Sequence, residues 1–177
     1  MRRPAGAPPE VAQPTNRLGW QQLRALNLAG LFAPRVDLEV VGSDALVGLD
    51  TPFIFAANEA GRLDHQLLRI ALPRRLRPGA RRLSRALAKR HNIVVFSADP
   101  HGGRLVGEFD TVAAELAKQH SVAVVPVGIV GTFRLSQTLK LRLVRKPKVS
   151  VRFGAPIYAR GQSIEDVTRE VQARVEH

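Results

Sequence analysis

The chain has 177 residues, 45% of them hydrophobic, and no cysteine, which suffices to bury one core and excludes a disulfide framework and a Cys-ligated zinc site. Its 27 Lys and Arg against 15 Asp and Glu leave a net charge of +12, a balance that draws an anionic membrane surface, a phosphorylated substrate or nucleic acid. The excess is clustered: nine basic residues and no acid lie from Arg69 to Arg90, and seven more, again without an acid, from Arg134 to Arg152.

Residues 1–17 hold four prolines and few large apolar groups, and read as a disordered leader ahead of one domain over 18–177. Met1-Arg2-Arg3 leads into Pro, Gly and polar residues, so no secretory signal is expected. Leu18, Trp20, Leu23, Leu26, Leu28, Leu31 and Phe32 carry enough three- and four-residue spacings for an amphipathic helix ended by Pro34. That helix either packs on the core or lies in a lipid interface, with Trp20 at headgroup depth beside Arg17 and Arg24.

Next, Val36 to Gly42 alternates with period two, while Pro52 to Ala57 is a continuous apolar run, predicting two strands, the second buried on both faces. Helical patterns follow at Leu63 to Leu72 and, after Pro78-Gly79, at Ala80 to Arg90. Ile93 to Phe96 reads as a short strand leading into a Gly-rich loop, Phe109 to Gln119 as a helix, Val122 to Ile129 as a core strand, and Lys148 to Phe153 as a more exposed one. The stretch Val122 to Phe133, broken by Pro126 and two glycines, is well short of the roughly 20 residues a spanning helix needs. Ser163-Ile164-Glu165-Asp166 has the form of a capping box and starts a last helix at Ile164. Strands alternating with helices predict an α/β domain with a mostly parallel sheet flanked by helices.

The most informative residues are Asn58-Glu59-Ala60-Gly61-Arg62-Leu63-Asp64, directly after the second strand. They resemble the Asn-His-x-Ser-x-x-Asp box of the glycerolipid acyltransferase family, with Glu59 where the histidine stands. The resemblance runs from about Val36 to Ile157. Phe96, Gly103-Arg104-Leu105 and Gly107-Glu108-Phe109 keep the outline of the family's Phe-Pro-Glu-Gly-Thr-Arg block, and Val124 to Thr132 and Phe153-Gly154-x-Pro156-Ile157 resemble its later blocks. It implies transfer of a fatty acyl group from coenzyme A or acyl carrier protein to the hydroxyl of a lysophospholipid or glycerol phosphate, with no bound cofactor. In that chemistry the histidine takes the hydroxyl proton and the aspartate orients its ring.

Three departures change the expectation. Glu59 replaces the base, and a carboxylate is a far weaker base than an imidazole near neutral pH. His65 follows Asp64 by one residue, about 100° round a helix, and is not expected to fill the vacancy. His101 stands where the block carries arginine, removing a bidentate phosphate fork that Arg104 or the Gly102-Gly103 amides would have to replace. The segment from Asp64 to Phe96 is shorter than the family's and lacks its second block.

Glu59 and Asp64 are therefore the candidate catalytic residues, and Asn58, Arg62, His101 and Arg104 the candidate substrate-binding ones. The expectation is impaired acyl transfer, or a noncatalytic homologue that binds lipid or a protein partner at the cytoplasmic face of an anionic membrane. No HExxH or similar ligand spacing points to metal, and no Gly-x-Ser-x-Gly elbow points to a serine nucleophile. Nucleic-acid binding has the charge in its favour, but one Trp, one Tyr and seven Phe, mostly in predicted core strands, supply no stacking platform.

Overall fold

A computed structural model describes residues 36–59, 64–78, 83–98, 106–132 and 146–176. The predicted leader and the predicted helix before Pro34 lie outside the described residues, as do Arg62, His101 and Arg104.

Among the described residues, six strands form one sheet: β1 (Asp37–Val41), β2 (Ile54–Ala57), β3 (Ile93–Phe96), β4 (Ala123–Val130), β5 (Lys148–Phe153) and β6 (Ile157–Tyr158). The order is β1-β5-β4-β2-β3, with β6 on the first residues of β4. β2 pairs in parallel with both β3 and β4, and β1 in parallel with β5, whereas β5 and β6 run antiparallel to β4. The C-terminal ends of β2, β3 and β4 therefore share one end of the sheet with the starts of β1 and β5. Every residue of β2 is buried, as its unbroken apolar run requires of an inner parallel strand.

Helix α1 (Asp64–Ala71) covers one face. Its Leu68, with Leu72 just beyond it, packs among Phe53, Phe55, Val125, Val127 and Phe153. Phe53 and Phe55 meet edge to face at 5.0 Å, a favoured aromatic geometry. Helices α2 (Leu83–Ala88), α3 (Val112–His120) and α4 (Ile164–Glu176) cover the other face, where Ala113, Ala117, Val167, Val171 and Val175 meet Ile54, Ala56 and Val124. Val167, Val171 and Val175 recur every four residues and make the one buried stripe of α4.

The ends of β5 are clamped by two left-handed glycines. Gly42, at φ 75°, follows β1 and leaves no room for a Cβ beside the Phe153 carbonyl, and Gly131, at φ 96°, follows β4 and lies as closely against that of Lys148.

The predicted capping box is present at α4: the Ser163 hydroxyl accepts the Asp166 amide hydrogen at 3.0 Å and donates to the Asp166 carboxylate at 2.7 Å. This hydroxyl, followed by the Arg169 guanidinium, holds the Asp166 carboxyl below its ordinary value. The third helix starts later than its pattern predicts. The Phe109 amide is taken by Gln172 Oε1 at 3.0 Å and the Val112 amide by Asp110 Oδ1 at 3.1 Å, so residues 109–111 form the approach and helical bonding begins at Val112. Two 3-10 turns, Ser43–Leu46 and Arg74–Leu76, and β6 had no periodic signal, each being too short to carry one.

Candidate active site

The box begins where β2 ends. Asn58, 3% exposed, donates from Nδ2 to the Ile129 carbonyl at 2.8 Å and accepts the Ile129 amide hydrogen on Oδ1 at 2.6 Å. Its own amide donates to the Val127 carbonyl at 3.4 Å. The side chain thus prolongs the β2–β4 ladder, which otherwise stops at Ala57 opposite Val127. Asn58, predicted to contact substrate, commits both ends of its amide to the sheet and fixes the point at which the next residue leaves it.

That residue is Glu59, half-buried at the mouth of the strand. Its amide hydrogen points to Ser97 Oγ at 3.4 Å, and the Ser97 amide donates to the Ala57 carbonyl at 2.9 Å. Ser97 follows β3 directly, so the exits of β2 and β3 are joined. Ala98 then pairs with Glu108, its amide bonded to the Glu108 carbonyl at 2.9 Å. This bridge brings together the residues on either side of the segment that carries His101 and Arg104, and places its two feet at the box end of the sheet.

Asp64 opens α1 and is completely buried. A carboxylate at a helix N-terminus gains from the backbone dipoles there, and full burial fixes its geometry at the expense of hydration. His65 and Gln66 are buried behind it, at 5% and 2% exposure. The His65 ring lies 6.4 Å from that of Phe96, centroid to centroid, and Phe96 is paired with Ala57 in the sheet register. An imidazole therefore lies near the C-terminal ends of β2 and β3, which Glu59 and Ser97 follow directly. Ser97 and His65 are the additions that structure makes to the sequence-derived set. Ser97 acts across 38 residues and has no local sequence signal, while the sequence shows His65 next to Asp64 and argues against it because it departs from the motif spacing.

The 1-acyl-sn-glycerophosphate (LPA) acyltransferase PlsC from Thermotoga maritima superposes on 89% of this chain and 77% of its own length, with a TM-score of 0.62 and 22% identity. The chain shares the fold of that acyltransferase. No family model and no curated protein matches the sequence. The predicted class, a single α/β domain with a mostly parallel sheet between helices, agrees with that architecture. In it Asn58 and Glu59 follow the end of a parallel strand and Asp64 opens the next helix, the place at which open α/β sheets present their ligand sites.

Proposed function

We propose that this protein is a divergent glycerolipid acyltransferase-like protein, whose reaction is transfer of a fatty acyl group from acyl-coenzyme A or acyl carrier protein to the hydroxyl of a lysophospholipid, slowed because Glu59 replaces the base. The observation that carries this reading is the position of Asn58, Glu59 and Asp64 at the exit of β2 in a domain with the fold of an LPA acyltransferase. In the reaction the acceptor oxygen forms a bond to the thioester carbonyl carbon, the carbon–sulfur bond breaks, and the acceptor's proton passes through the base to the departing thiolate. Glu59 carries that proton poorly, while Asp64 is the acid the box retains. Arg62, His101 and Arg104 are the groups assigned to the acceptor's phosphate.

No helix among the described residues is long and apolar enough to cross a membrane. The protein works as a peripheral component at the cytoplasmic, anionic face, held by its basic charge. Glu59 also favours a second reading, a noncatalytic homologue that retains the lipid-binding scaffold. Incubating the purified protein with acyl-coenzyme A and a panel of lysophospholipids separates the two. Slow wild-type turnover, lost in Asp64→Ala and raised by about 100-fold in Glu59→His, is the outcome of the catalytic reading. Absence of turnover in both wild type and Glu59→His overturns it in favour of the noncatalytic one.

A further inference from the structure

Four exposed basic residues of the first acid-free cluster and two of the second stand at opposite ends of the sheet. Arg74 and Arg75 stand on the turn after α1, and Lys89 and Arg90 follow α2, all four exposed. Asn92 ties these pieces into one corner: its Oδ1 accepts the Phe53 amide hydrogen at 3.0 Å and its Nδ2 donates to the Leu76 carbonyl at 3.1 Å. Arg90 adds a guanidinium bond to the Thr51 carbonyl at 2.9 Å. Thr51, Phe53 and Asn92 lie at or just before the starts of β2 and β3, so this corner is at the end away from Asn58 and Glu59. Lys146 and Lys148, exposed at the start of β5, belong to the box end, because β5 runs antiparallel to β4.

Large side chains stand open at the corner's end as well. Val47, 76% exposed, follows Leu46, whose side chain shares a core cluster with Leu76, and Tyr158, 61% exposed, is paired with Ala123 at the start of β4. A flat bilayer meets one end of such a domain. A lipid-borne acceptor has to be met at the box end, which leaves the corner facing water. Arginine and tyrosine side chains are enriched at protein interfaces, and the positive field of the corner steers an acidic partner onto it.

We propose that this basic corner docks an acidic protein surface in solution while the box end, with Lys146 and Lys148, meets the anionic lipid. The lipid half rests on the functional reading above; the docking half takes from it only which end of the domain faces water. The probes are poly-L-glutamate, titrated calorimetrically into the full chain, and phosphatidylglycerol-phosphatidylcholine vesicles in a sedimentation assay. Arg74→Glu/Arg75→Glu/Lys89→Glu should weaken polyglutamate binding by more than about tenfold and leave vesicle binding unchanged, and Lys146→Glu/Lys148→Glu should do the reverse. Glutamine at the same positions, with thermal melting as a check, replaces any reversal that fails to fold.

Loss of vesicle binding in the corner variant would overturn the proposal by giving that end to the membrane. Unchanged polyglutamate binding there, or tighter binding of double-stranded DNA through the same residues, would overturn it as well. If wild type ignores the vesicles while polyglutamate behaves as expected, the membrane reading falls and the docking corner stands.

Discussion

Asn58 grips Ile129 with both ends of its amide, at 2.8 and 2.6 Å, as if the β2–β4 ladder ran one rung longer than the backbone allows. Glu59 leaves the sheet where Asn58 holds it, and the linkage to Ser97 fixes that exit against β3.

Asn58→Ala should therefore cost about 2–4 kcal/mol, because Ile129, 1% exposed, keeps a buried amide and carbonyl without the partners they now have. Urea unfolding measures it. A loss below about 0.5 kcal/mol, the size of an exposed substitution, would show that water serves Ile129 equally well.

Asn92→Ala should be similarly destabilising, by about 2–3 kcal/mol, for a different reason. One buried amide, 3% exposed, joins the Phe53 amide to the Leu76 carbonyl, so its loss releases the turn at Arg74–Leu76. Hydrogen exchange should quicken at Phe53 and Leu76 ahead of β4. Uniform quickening over the whole sheet would instead mean only global destabilisation.

Ser97→Ala removes the hydroxyl that receives the Glu59 amide hydrogen. A stability loss of about 1 kcal/mol is expected, together with a larger effect on chemistry. Placed in a Glu59→His background, the substitution should lower turnover with little change in KM, since it shifts the base without touching the acceptor. An effect on KM alone would argue that Ser97 meets substrate.

The start of α4 has a pH dependence of known sign. Asp166 is held below its ordinary value of 3.8, first by the Ser163 hydroxyl and then by Arg169. A depressed carboxyl contributes stability that is present above 3.8 and fades as pH falls through its folded value. Ser163→Ala should accordingly destabilise at neutral pH, by losing the amide cap and the carboxylate contact together, and the deficit should shrink under acid. Urea midpoints for both proteins across that range check it, and a deficit that grows on acidification would contradict the assignment.

Much of the architecture was legible in local pattern. The run Phe53 to Ala57 has no polar alternation, and only a strand covered on both faces accommodates that. The valines at 167, 171 and 175 and the Ser163–Asp166 spacing define α4 and its first turn by themselves, because capping and amphipathicity act within a few residues. The order of these elements, with Asn58 to Asp64 after the second strand, likewise placed the candidate site at the junction of β2 and α1 before any coordinates.

Tertiary structure alone decided the rest, and in each case the deciding contact spans a distance that no periodicity encodes. In the sequence Asn58 is the first residue of the box and a candidate for substrate binding. That it serves the sheet depends on Ile129, 71 residues away. The charge runs announce polyanion binding, yet the placement of Lys146 and Lys148 away from Arg74, Arg75, Lys89 and Arg90 follows from β5 reversing against β4, a choice made by strand pairing in three dimensions. The burial of His65 against Phe96 belongs to the same class: adjacency to Asp64 is a property of the chain, and enclosure at the exits of β2 and β3 is a property of the packed fold.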